Sequence, residues 1–164
     1  MNSMKQHNVD VSVCISPTAE VVSAETQQLL AEAKRVAHAA YAPYSRFRVG
    51  AAALLDNGVV VSGSNQENAA YPSGLCAERV TLFYANAQYP QAKVKRLLIY
   101  AETDNGSVST PITPCGACRQ VILEKENVQG TPIAITLAGQ NDLYHIPGIG
   151  SLLPLSFVPS SLEG

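Results

Sequence analysis

Two short cysteine segments constrain this chain more than anything else in it. Cys76-Ala77-Glu78-Arg79 and Pro114-Cys115-Gly116-Ala117-Cys118-Arg119-Gln120 each open a stretch with helical patterning, and 39 residues separate Cys76 from Cys115. A helix N-terminus carries unpaired N–H groups and a partial positive charge, which favours thiolate over thiol. Cys115 and Cys118 stand at i and i+3 around one first turn, so both sulfurs can reach one point. Cys76 can arrive from the adjacent helix. Three thiolates give zinc three protein ligands and leave the fourth tetrahedral position to water, the catalytic pattern; closed four-ligand sites are structural. The fold must therefore bring the starts of two distant helices together. Glu78, two residues beyond Cys76, can face the open position without being a ligand, where a carboxylate is a natural proton shuttle.

Charge arithmetic adds a requirement. Zinc at +2 with three thiolates leaves about −1, which makes nearby water harder to deprotonate unless positive charge or donors face the sulfurs. Arg79 and Arg119 each follow a site residue directly, and at least one is expected to donate to the thiolates.

The rest of the chain reads as alternating elements. From Ser23, a plausible N-cap, apolar residues Leu29, Ala33, Val36, Ala37 and Ala40 recur at helical spacing as far as Ala42, before Pro43. Val49 to Leu55 and Val59 to Ser62 flank Asp56-Asn57-Gly58, a hairpin signal. A loop from Gly63 to Gly74 precedes a helix over Leu75 to Gln88. Val94 to Ala101 reads as a strand, Glu102 to Pro114 as a loop, Gly116 to Glu124 as a short helix and Ile133 to Leu137 as another strand. This order implies an α/β fold, a mixed sheet with helices on its faces. Residues 1–22 read as a loosely ordered arm or a strand added to a neighbour's edge, and 23–164 as one catalytic domain. The tail Leu152-Leu153-Pro154-Leu155-Ser156-Phe157 is too apolar to be free and should dock on its own body or a neighbour.

Composition excludes several partners. With 11 basic and 13 acidic residues the chain has no positive field for nucleic acid or an anionic membrane. No apolar run approaches membrane-spanning length, and the N-terminus shows no signal-peptide core, which points to the cytoplasm. Charged residues are only 15%, a hint of buried subunit contacts. In a reducing compartment the four cysteines should be thiols, with Cys14 a spare or core one. His38 reads as a surface or groove histidine, His145 as part of a turn in the tail, and His7 as part of the arm; none is expected to be a ligand.

Cys-Ala-Glu-Arg followed by Pro-Cys-Gly-Ala-Cys-Arg-Gln resembles the cytidine deaminases of the small homotetrameric type. The likeness extends through Tyr41-Ala42-Pro43-Tyr44-Ser45-Arg46-Phe47-Arg48-Val49-Gly50-Ala51-Ala52, Asn65-Gln66-Glu67-Asn68-Ala69-Ala70-Tyr71-Pro72-Ser73-Gly74 and Leu153-Pro154-Leu155-Ser156-Phe157. It implies a five-stranded mixed sheet sandwiched between helices, and one zinc per chain on Cys76, Cys115 and Cys118 with Glu78 catalytic. The implied reaction is hydrolytic deamination of free cytidine, and of 2′-deoxycytidine, to the uridine forms plus ammonia in pyrimidine salvage. By the same resemblance Asn65 and Glu67 hold ribose and base, Phe47 lines the pocket against the pyrimidine, and the Ala77 N–H meets its carbonyl. Tyr71 joins that substrate-binding set, and Phe157 reaches the pocket of a neighbouring subunit in a tetramer with shared active sites. A free carboxylate at the sugar suits a neutral hydroxyl and repels phosphate, so Glu67 favours nucleosides over nucleotides.

Three other readings share these residues. A thiol–disulfide redox protein would use only Cys115 and Cys118, and a zinc scaffold would give no role to Glu78. A deaminase of another cytosine compound, such as blasticidin S, would share the metal motifs, and Asn65, Glu67 and Phe47 favour the nucleoside version over it.

Overall fold

In the computed structural model, which describes residues 4–6, 8–9, 11–20 and 23–162, Ser23 caps the first helix. Its Oγ accepts from the Thr26 amide at 3.1 Å, and helix α1 spans Ala24–His38. The helix stops short of the expected Ala42, and Pro43 is not what ends it. The Tyr41 amide donates to Asn65 O at 3.2 Å and the Glu67 amide to Tyr41 O at 2.8 Å. Residues 40–42 thus leave the helix to run beside 65–67. His7 and the expected 22/23 boundary lie outside the described residues.

The strands are β1 (Cys14–Pro17), β2 (Arg48–Leu55), β3 (Val60–Ser64), β4 (Val94–Thr103), β5 (Gly106–Ser107), β6 (Ala134–Ala138) and β7 (Asp142–Ile146). Helix α2 spans Ala77–Gln88 and α3 spans Gly116–Gln129. The main sheet order is β1-β7-β6-β4-β2-β3, with β5 paired to β4. Pairing is antiparallel except between β4 and β6, which α3 connects. The mixed α/β architecture is as expected, but among the described residues the strands number seven rather than five. Two of them are short: the four-residue β1 and the two-residue β5, a return inside the loop after β4.

Strand β1 pairs with β7 of its own chain, Cys14 opposite His145, so it does not need a neighbour's edge. Cys14 is exposed there, not in the core. His145 lies on β7, not in a turn, and its Nε2 is 2.9 Å from Ser16 Oγ. Only Leu143 and Ile146 of that strand are buried, which is why no apolar run announces it. Helix α3 runs five residues past the expected Glu124, to Gln129, and ends on Gly130 at φ 68°, a left-handed C-cap that glycine adopts without strain.

Both faces of the sheet are covered. Leu29, Leu30, Ala33 and Ala37 of α1 pack on Ala52, Leu54, Leu98 and Tyr100. On the other face α2 and α3 supply Leu82 and Ile122 against Ala51, Ala53, Leu97 and Ile99. Burial on both sides is why Leu97-Leu98-Ile99 is a continuous apolar run instead of an alternating one. Small residues let α1 approach closely: a Cβ on Gly50 would fall onto the Ala33 carbonyl oxygen and 2.8 Å from the Ala37 amide nitrogen. Gly50→Ala is therefore expected to cost about 1–3 kcal/mol or more, read as a lower urea midpoint at unchanged m.

Candidate metal centre

Helices α2 and α3 begin at the same place. Cys76 is the N-cap of α2 and Cys115 the N-cap of α3, each in extended conformation, while Cys118 sits in the first turn of α3. Their sulfurs converge: Cys76 Sγ is 3.7 Å from Cys115 Sγ, and Cys115 Sγ is 3.4 Å from Cys118 Sγ. All three lie within 4.8 Å of one another, and no other such His/Cys/Asp/Glu cluster occurs among the described residues. Zinc with Zn–S bonds of about 2.3 Å in tetrahedral array spaces its sulfurs about 3.8 Å apart. The donor set and its spacing fit that ion.

Arg79 lies against the sulfurs, whereas the hydrogen-bond partners of Arg119 are all oxygens. Arg79 Nη2 lies 3.7 Å from Cys76 Sγ, and Arg79 Nε is the one buried side-chain nitrogen without a partner among the described residues. A spare donor suits a cluster that would carry about −1 with zinc bound. All three guanidinium nitrogens of Arg119 donate to oxygen: Nε to Pro114 O at 2.8 Å, Nη1 to Leu152 O at 2.8 Å and Nη2 to Thr113 Oγ1 at 3.2 Å. Arg79→Ala is expected to weaken zinc retention by about tenfold or more against a competing chelator; unchanged affinity and turnover would exclude Arg79 from the site's electrostatics.

The hydrogen bond from Cys118, and then the Arg79 guanidinium, hold the Cys76 thiol down to about 5 against the effect of burial. Acting as that donor, and being buried, pushes Cys118 up.

Glu78 is 4% exposed in the first turn of α2. Burial raises its carboxyl above the usual carboxylate range, and the charge on Cys76 adds to the rise. Glu78 lines a cavity of about 730 Å³ together with Cys76, Cys115, Phe47, Asn65, Glu67 and Tyr71. Ala77 is fully buried at the first position of α2, where a backbone N–H has no acceptor within the helix.

The other wall is built from the loop before β2. Asn65 Oδ1 accepts from the Val49 amide at 2.8 Å, and its Nδ2 donates to Phe47 O at 2.9 Å, which fixes Phe47 at the cavity. Glu67 Oε2 accepts from the amides of Tyr44 at 2.8 Å and Ser45 at 3.3 Å. The Ser45 hydroxyl and those amides hold the Glu67 carboxyl below its usual range, so it stays ionised at neutral pH. Between them Arg46 adopts φ 55°, a left-handed conformation uncommon for a residue with a side chain. Tyr71 meets Tyr44 edge-on, ring centroids 6.2 Å apart.

Tyr44, Ile112 and Thr113 also line the cavity and were not singled out in the sequence. The signal was their position: Tyr44 inside the Tyr-Ser-Arg-Phe stretch, Ile112-Thr113 directly before Pro114-Cys115. Phe157 is 58% exposed and is not among the residues lining this chain's cavity. Its carbonyl instead accepts from Gln120 Nε2 at 3.0 Å, and Leu152, Leu153 and Val158 pack against the core. The tail docks on its own body.

Residues 23–131 match the sequence profile of the cytidine and deoxycytidylate deaminase zinc-binding region. A cytidine deaminase of Sporosarcina psychrophila is 43% identical over 100 residues, covering 61% of this chain and 69% of that protein. One from Mycobacterium tuberculosis is 47% identical over 97 residues, 58% of this chain and 68% of that one. The crystal structure of cytidine deaminase from Burkholderia pseudomallei superposes with a TM-score of 0.67 at 39% identity, covering 80% of this chain and 98% of that chain.

Proposed function

The chain belongs to the cytidine and deoxycytidylate deaminase family, and on that footing we propose that it hydrolyses free cytidine, and 2′-deoxycytidine, to the uridine forms and ammonia. The observation that carries this is the convergence of three sulfurs, with buried Glu78 beside them, at one cavity. Zinc held by Cys76, Cys115 and Cys118 supplies Lewis acidity that makes water a nucleophile near neutral pH.

Every other role falls to the chain's own side chains and amides. Glu78 accepts the first proton that water gives up and delivers it to the pyrimidine ring nitrogen N3 as the water oxygen bonds to C4; it then takes the second proton from the new C4 hydroxyl and passes it to the amine, which leaves C4 as ammonia. Its raised affinity for protons, set by burial, suits a group that must both take and release one. The Ala77 N–H, at the positive end of α2, donates to the pyrimidine carbonyl. Phe47 packs against the ring. Asn65 and Glu67 hold the ribose and base, ionised Glu67 accepting from hydroxyl or N–H donors, and the same negative charge discourages a 5′-phosphate. Tyr71 closes the cavity mouth with Tyr44.

The assembly we propose is a homotetramer in which Phe157 completes a neighbouring copy's pocket. Exposed Phe83, Tyr84, Leu155 and Phe157 support it, as does the position of Phe157 outside its own cavity. Pyrimidine salvage in the cytoplasm is the proposed setting. No helix among the described residues is long and apolar enough to cross a membrane.

The test is a panel of cytidine, 2′-deoxycytidine, cytidine monophosphate and blasticidin S, followed by loss of cytosine absorbance. The two nucleosides should be consumed with stoichiometric ammonia and the monophosphate spared. Consumption of blasticidin S alone would replace the substrate assignment, and no consumption of any would end the deaminase reading.

A further inference from the structure

The C-terminal segment runs back along the helix that carries two of the three cysteines. Glu126 Oε1 accepts from the Ile149 amide at 3.0 Å and from the Ile133 amide at 2.8 Å. Two turns nearer the metal centre, Arg119 Nη1 donates to Leu152 O, and Gln120 Nε2 donates to Phe157 O. Residues 119 and 126 are two helical turns apart and so share one face of α3. Side chains of α3 thus bind main-chain atoms of the segment at three points along it.

Arg119 also holds the other side of the centre. Its Nε donates to Pro114 O and its Nη2 to Thr113 Oγ1. Pro114 immediately precedes Cys115, and Thr113 lines the cavity. Of the three cysteines in the cluster, Cys118 is buried within α3, whereas Cys115 is exposed at the N-cap, without a side-chain cap bond. The place of the Cys115 sulfur therefore depends on the turn that delivers it. Proline offers no N–H to anchor that turn, so its carbonyl is the atom to grip. A guanidinium is a planar fork able to reach Pro114, Thr113 and Leu152 at once, which an ammonium is not shaped to do.

We propose that Arg119 is a positioning residue: through it the segment from Ile149 to Phe157 acts as a strap that holds the Pro114–Cys115 turn, and with it the Cys115 sulfur, in place for metal capture. The proposal deepens the zinc-deaminase reading above and rests on it. Loosening the strap at either end should then loosen the metal, although neither Arg119 nor Gln120 touches it.

The experiment uses the full zinc-loaded chain and Arg119→Lys, Gln120→Ala and the double variant. Zinc release to a chromogenic chelator is timed, with kcat, KM and Tm recorded alongside. Arg119→Lys should release zinc about 10–100 times faster. Gln120→Ala, whose bond is to Phe157 O and not to the metal loop, should release it about threefold faster, and the double variant less than the product of the two, because both act through one strap. KM for cytidine should stay near its original value in both single variants. If Arg119→Lys fails to fold, Gln120→Ala alone carries the test. Release at the unaltered rate from Gln120→Ala, or from a folded Arg119→Lys, would overturn the strap, as would effects that simply multiply. If the unaltered chain binds no zinc or leaves cytidine untouched, the deaminase reading itself fails and this proposal with it.

Discussion

Glu78→Gln is expected to lower kcat by about 10²–10⁴-fold while zinc content stays at that of the unaltered chain. Glutamine preserves the volume of a side chain that is 4% exposed, so packing at the start of α2 should survive. What it removes is the exchangeable proton. The carboxyl is raised by burial first and then by the charge on Cys76, so it holds a proton more readily than it would in water. That is the property a group needs if it is to collect a proton in one step and surrender it in the next. KM should change far less than kcat, because proton transfer is felt in the transition state and hardly in binding. A variant turning over near the original rate would show that another group moves the proton.

Cys118→Ala should have the larger consequence for the metal. Cys118 is fully buried and its sulfur lies 3.4 Å from Cys115 Sγ. Two remaining thiolates do not make a site of the catalytic type, so zinc should fall from about one per chain to near none, with activity lost to background. Stability should fall as well, since an ion bound only by the folded chain stabilises it by about 4 kcal/mol at a thousand times its dissociation constant. Stripping zinc from the unaltered chain is then expected to lower Tm by about 8–16 °C, taking about 2–4 °C per kcal/mol for a chain of this size. The same chelator should leave the Tm of Cys118→Ala unmoved. Zinc bound at full stoichiometry by that variant would place the ion elsewhere.

The chemistry of this chain was more legible in its sequence than its boundaries were. Cysteines at i and i+3 on a helix start, with a third at another, leave few ways to satisfy their geometry, and the structure brings all three sulfurs together. Asn57-Gly58 likewise marks a turn whose glycine does take φ 82°. What periodicity missed was decided by partners distant in the chain. Helix α1 ends at His38 because residues 65–67 compete for the backbone of Tyr41, and nothing local to residues 39–42 signals that. Strand β7 is short, half-exposed and interrupted by polar side chains, so it lacks an apolar pattern; β1 forms only because that edge is there to pair with. Arg119 carries the same lesson at the site. Its place beside Cys118 suggested a donor to sulfur, but in α3 its side chain reaches back to Pro114 and across to Leu152, a partner 33 residues away.

Electrostatics behind the cavity explain how a strained loop is held. Arg48 donates to Glu102 Oε1 at 3.0 Å and to Asp104 Oδ1 at 2.9 Å, and Arg46 approaches Asp104 at 3.7 Å. Glu102 also accepts from His38 and Tyr100, and although burial alone would raise its carboxyl, Arg48 and these donors bring it below the usual range. The loop bearing Tyr44, Ser45 and Phe47 is thereby tied to β4 on one side and to Glu67 and Asn65 on the other. A cavity wall pinned at both ends costs little further ordering when a ligand enters.

The most direct test of the account is a zinc titration of the stripped chain with cytidine as substrate, following ammonia release as each increment of metal is added. Activity should be absent at first, rise in proportion to bound zinc, and level off at about one ion per chain. Deamination that proceeds before any zinc is restored, or a fully loaded chain that releases no ammonia, would contradict it.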